Sequence, residues 1–170
     1  MVATQTPPLN FPSAGVGAGR SRITPEQMSS YHNILVAFDG SADAAAALQH
    51  AVVLARDQNA RLTLLTCDVP LPANVDAAPV PGERLTLRAR ILRDGTAKIP
   101  PDVGVTTLLR SGDAAASILA VAAEGSHDLI VMGSHGHSRL HRALLGSVSE
   151  RVLREAASPV LLMRAERAAA

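Results

Sequence analysis

The chain has 170 residues, 47% of them hydrophobic and 18% charged, with a formal net charge of +1. That length can bury one ordinary domain core without metals, and a lone cysteine, Cys67, excludes an internal disulfide framework. The near-neutral charge gives no footprint for nucleic acid, aromatic residues at 2% exclude base-stacking platforms, and no apolar run nears the roughly 20 residues that span a bilayer. A start without the order of a signal peptide, together with the lone thiol, leads to the expectation of a cytoplasmic protein without membrane or nucleic-acid partners.

Residues 1–30, with Pro7, Pro8, Pro12 and scattered glycines, show no period and are expected to form a tail. A domain over 31–166 and a short terminus over 167–170 follow. Asn33–Phe38 (NILVAF) is a continuously apolar run stopped by Asp39-Gly40-Ser41, the pattern of a buried strand. Ala42–Gln58 has apolar residues at helical spacing, with Ser41 as its cap. A second strand is expected over Arg61–Cys67, then a proline-rich connection and a helix from Glu83 to about Lys98, interrupted near its end by Gly95. Val103–Leu109 is the third strand and Asp113–Glu124 a helix opened by an acidic residue and closed by Gly125. Asp128–Met132 is the fourth strand, Ser147–Ala157 a helix and Pro159–Met163 the fifth strand. This alternation predicts an α/β fold: a Rossmann-like, open, five-stranded parallel sheet of order 3-2-1-4-5 with helices on both faces.

Ligands of such sheets bind outside the carboxyl ends of the strands, where the strand order reverses. The loop from Gly133 to Ser147 is the most informative of those ends. Gly133 would keep the crevice clear of a side chain, and Gly136 would let the backbone turn with positive φ close to a ligand. Gly146-Ser147 opens a helix whose first N–H groups and dipole favour a phosphate. Asp39, across the switch point, could accept from ribose hydroxyls. The same residues serve a plainer reading. Ser147-Val148-Ser149-Glu150 has the spacing of a capping box, and glycines often punctuate strand ends.

The spacing Gly133-x2-Gly136-x9-Gly146-Ser147, with Asp39-Gly40-Ser41 after the first strand and DLIVMGSHG over Asp128–Gly136, resembles the ATP-binding branch of the universal stress protein family. The resemblance runs from about Tyr31 to Arg164. It implies that Asp39 holds the ribose, with Ala37 and Phe38 lining the approach and Cys67 facing the adenine. Met132 and Gly133 would flank base and sugar, and Gly136, Gly146, Ser147, Val148 and Ser149 would surround the phosphates. It further implies ATP as the ligand, and on chemical grounds a Mg²⁺ could be held by its phosphate oxygens and Ser147. A homodimer through Val160–Met163 and a still unidentified protein partner complete what it implies.

His135, His137 and His141 lie close together, but a glycine-containing loop offers metal ligands no fixed geometry. Arg139 and Arg142 are candidates for phosphate contacts, since guanidinium groups pair with phosphate bidentately, and the other reading is solvated loop residues. Cys67 at a strand end is expected to be an inert thiol. The sequence lacks GxxxxGK[ST], and no spare carboxylate stands ready to position water, which favours a nucleotide-responsive binding protein. The alternatives are a weak ATPase or phosphotransferase in the same pocket, and a dimeric interaction module without nucleotide.

Overall fold

The computed structural model describes residues 30–69, 81–136 and 145–165. Five strands, β1 (Asn33–Ala37), β2 (Arg61–Asp68), β3 (Val105–Ser111), β4 (Leu129–Gly133) and β5 (Val160–Met163), form one sheet in the order β3-β2-β1-β4-β5. Every pairing is parallel. Helices α1 (Ala42–Gln58), α2 (Pro81–Thr96), α3 (Ala114–Glu124) and α4 (Ser147–Glu155) make the crossovers. The predicted order and layering are therefore those of the molecule.

The continuous apolar runs have a simple cause: alternate residues of each central strand enter different cores. Ile34, Val36, Leu62, Leu64, Leu129 and Val131 pack with Ala44, Leu48 and Val52 of α1, with Ile91 and Leu92 of α2 against them. Leu35, Leu65, Ile130 and Met132 face the other way, against Ala115, Ile118 and Val121 of α3 and Val152 of α4. A strand covered on both faces has no polar side to show. β3 lies at an edge and is partly exposed, so its polar residues are tolerated there.

Caps and boundaries follow local chemistry. Ser41 Oγ accepts from Ala44 N at 3.2 Å and opens α1. Asp113 does the same for α3, accepting from Ala116 N at 2.7 Å, so that residue is the cap and Ala114 the first helical residue. β3 starts later than Val103 because Val103 closes a turn onto Pro100, donating to its carbonyl at 3.1 Å. Asp128 precedes β4 and its carboxylate accepts from the backbone N–H groups of His32 and Asn33, at 2.7 and 3.1 Å, which ties the start of β1 to β4. Gly95 does not interrupt α2. A Cβ there would come within 2.7 Å of the Phe38 ring, so glycine is what lets the helix lie close over that buried side chain.

Candidate functional site

A cavity of about 380 Å³ opens at the carboxyl ends of β1, β2 and β4, on the side where the strand order reverses. Sites for small ligands are commonly concave, largely apolar and of this size class. Ala37, Phe38 and Asp39 border it from β1 and its following turn, Cys67 from β2, and Met132 and Gly133 from β4. Gly136, Gly146, Ser147, Val148 and Ser149 border it from the last loop and the start of α4. The structure thus brings together all the sequence-predicted site residues except Arg139, which lies outside the described residues, as do His137, His141 and Arg142.

Asp39 is set by its own turn. Ser41 N donates to its Oδ1 at 2.9 Å, and Gly40 between them takes φ 85°, a left-handed conformation that favours glycine. The other carboxylate oxygen faces Gly136, where a Cβ would lie 2.7 Å from Asp39 Oδ2. Gly136 itself does not take positive φ, contrary to the expectation from sequence. Its glycine is required by close approach to a side chain on another element. Gly133 also has a different reason. A Cβ at that position would meet the backbone of Asp43 and Ala44 in the first turn of α1 at 2.9 and 2.8 Å, and not the crevice.

The capping box is not formed. The N-cap of α4 is Gly146, with extended φ and ψ and no side-chain bond to the helix, and Ser147 is the first helical residue. Ser149 Oγ, which takes no part in such a box, donates to Gly133 O at 2.9 Å and is buried. Gly146 N donates to Ser134 O at 2.9 Å, which draws the helix start onto the end of β4. A glycine N-cap offers no side-chain acceptor to the first-turn N–H groups, so the positive end of the helix borders the cavity.

Phe38 borders the cavity, yet its ring is buried in the core against Gly95, with Lys98 Nζ over it at 5.9 Å from the ring centre. Burial pushes the Cys67 thiol up, only partly opposed by the Ser117 hydroxyl and by the nearby Arg88 charge. That favours the protonated thiol over the thiolate.

Two features escaped the sequence reading. Arg88, on α2, borders the cavity beside Cys67 and Val69. Asp43, in the first turn of α1, gathers three donors: Ser134 Oγ at 2.9 Å, His135 N at 3.2 Å and Ala165 N at 3.0 Å. Burial pushes the Asp43 carboxyl up, but the hydrogen bonds from Ala165, Ser134 and His135, with the His135 charge, hold it below its ordinary value of 3.8. A carboxyl lowered in the folded state stabilises above its unfolded value and loses that contribution as pH falls through the lowered one. Asp43→Asn should therefore lower stability at neutral pH and flatten the acid side of the stability profile below about pH 4. Denaturant unfolding at several pH values between neutrality and acid checks this, and parallel profiles for parent and variant would refute it.

The comparisons with known proteins agree with this geometry. A model of the universal stress protein family matches residues 30–164. The chain is 34% identical over 149 residues to the universal stress protein YxiE of Bacillus subtilis, covering 79% of this chain and 99% of that one. It is 33% identical over 147 residues to a putative universal stress protein of Staphylococcus haemolyticus, covering 82% and 88% of the two chains. Among solved structures it resembles the universal stress protein UspA from Lactobacillus plantarum, with a TM-score of 0.70, 29% identity and coverage of 80% and 99%. It also resembles a universal stress protein crystallised in complex with cAMP, with a TM-score of 0.64, 27% identity and coverage of 81% and 100%. From the arrangement of its strands and the extent of these matches, the chain belongs to the universal stress protein family.

Proposed function

We propose that this protein binds an adenine nucleotide, ATP in the first instance, in the cavity at the strand ends and works as a nucleotide-responsive stress or signalling protein. One observation carries the reading: the Asp39 carboxylate and the glycine-capped start of α4 border the same cavity, with Gly136 between them packed against Asp39. A carboxylate suits ribose hydroxyls and an uncapped helix start suits phosphate. The ribose would lie at Asp39 and the base towards Cys67, with Met132 and Gly133 flanking both. The phosphates would lie at Gly136, Gly146, Ser147, Val148 and Ser149, with Arg139 approaching from its loop. Mg²⁺ would be held by phosphate oxygens and the Ser147 hydroxyl. A relative in complex with cAMP supports the adenine class.

The reading is one of binding and response, with at most slow hydrolysis. Asp39 is the one carboxylate among the described residues that border the cavity, and the ribose occupies it. A homodimer through β5 fits the same picture. Val160–Met163 is a half-buried edge strand whose outer side has no partner strand among the described residues. Its end is joined to the loop, since Ser134 N donates to Met163 O at 2.7 Å and Ala165 N to Asp43. Nucleotide would favour one arrangement of that edge, and an unidentified protein partner would read it. Titration calorimetry with ATP and Mg²⁺ tests the reading. Saturable heat that is lost in Asp39→Ala is the expected result, and no heat at millimolar ATP would overturn it.

A further inference from the structure

The base end of the cavity carries one charged side chain that none of the roles above uses. Arg88 borders it beside Cys67 and Val69, while Ala37, Leu65, Ile118 and Met132 line that end with apolar surface. One turn earlier on α2, Arg84 is already committed. Its Nη2 and Nε reach the two oxygens of Asp68 at 2.8 and 3.3 Å, and that carboxylate is 5% exposed at the end of β2. Arg88 approaches the same carboxylate only to 4.0 Å and stays 26% exposed. The Asp68–Arg84 pair thus fixes α2 across the end of β2. It leaves the second guanidinium, four residues on and on the same helix face, oriented by Asp68 without a close hydrogen bond to it.

Resting on the nucleotide reading above, we infer that Arg88 is a further base-contacting residue of this pocket, its guanidinium covering a purine inserted between α2 and the start of α3. A guanidinium is planar and weakly hydrated, so it can lie flat on the face of a base. The Phe38 ring is buried in the core and the His135 ring is engaged by Ser134 and Asp43, so Arg88, near Cys67, offers a flat polar surface for a base. Arg84 and Asp68 act as positioning residues that keep Arg88 in reach. The ligand class is then a purine nucleotide, preferred over a sugar triphosphate lacking the base.

The test compares ATP with ribose 5-triphosphate by calorimetry on the parent, Arg88→Leu and Arg88→Gln, with thermal unfolding to show that each variant is folded. The parent should prefer ATP, and both variants should shrink that preference about fivefold or more while ribose 5-triphosphate binds within about twofold of the parent. A preference unchanged in the variants, or absent in the parent, overturns the assignment. Equal weakening of both ligands also overturns it, because Arg88 would then act as a general attractor of negative charge. A parent that binds neither ligand removes the nucleotide reading, and this assignment with it.

Discussion

Gly136→Val should remove most of the ATP affinity and leave the protein folded. The first atom it adds would lie 2.7 Å from Asp39 Oδ2, with Asp39 Cγ next at 3.9 Å. Both belong to the end of a side chain, which can rotate away at little cost to the core. What moves is the carboxylate itself, together with the bond it accepts from Ser41 N. In the proposed complex that carboxylate holds the ribose hydroxyls. A hydrogen bond to a charged group is worth about 1.5–3 kcal/mol, so its loss weakens binding by more than about tenfold. Calorimetry with ATP should show the loss, and thermal unfolding without ligand should place the variant close to the parent. A folded variant that binds ATP as the parent does would mean that the Asp39–Gly136 contact takes no part in the site.

The architecture was legible because both sheet faces are covered. Residues such as Ile34 and Leu35 enter opposite cores, and the resulting apolar runs are unmistakable in a linear sequence. Ser41 and Asp113 could be recognised as helix starts because their partners lie three residues away. The positions of the site glycines could be read for the same reason, but their causes could not. Gly136 answers to Asp39, Gly133 to Asp43 and Ala44, and Gly95 to Phe38, all far away in the chain. A local reading supplied local explanations, positive φ and a clear crevice, where the folded chain imposes close packing between elements. The capping box failed likewise. Its spacing was present, but Gly146 took the cap position and Ser147 became the first helical residue, one place too late to cap. Arg88 was overlooked because it sits in a strongly charged helix whose arginines look alike until Asp68 separates Arg84 from Arg88. Asp68 stood at the end of a strand, where a buried carboxylate requires a cation, and that requirement was the available signal.

Gly133→Val should act in the opposite way, on the fold before the ligand. Gly133 is the last residue of β4, buried and paired with Met163 of β5. A Cβ there would meet Ala44 N at 2.8 Å and the carbonyl carbon and Cβ of Asp43 at 2.9 Å. These are main-chain atoms and a Cβ of the first turn of α1, which cannot swing aside as a carboxylate does. That turn is held by the Ser41 cap, by the three donors on Asp43, and by Ala44, Ala47, Leu48 and Ala51 packed beneath the helix. To admit the valine, α1 must lift from β4 or the end of β4 must shift away from β5. Overpacking of this kind costs about 3 kcal/mol, and for a chain of this size that lowers the melting temperature by roughly 8 °C. Denaturant unfolding would read the cost directly, without nucleotide present. The two glycines stand three residues apart and receive the same substitution, yet one collision is absorbed by a side chain and the other by a helix backbone. A Gly133→Val protein as stable as the parent would show that the first turn of α1 yields. The anchoring of the loop through Asp43 would then be too soft to link the cavity to the end of β5.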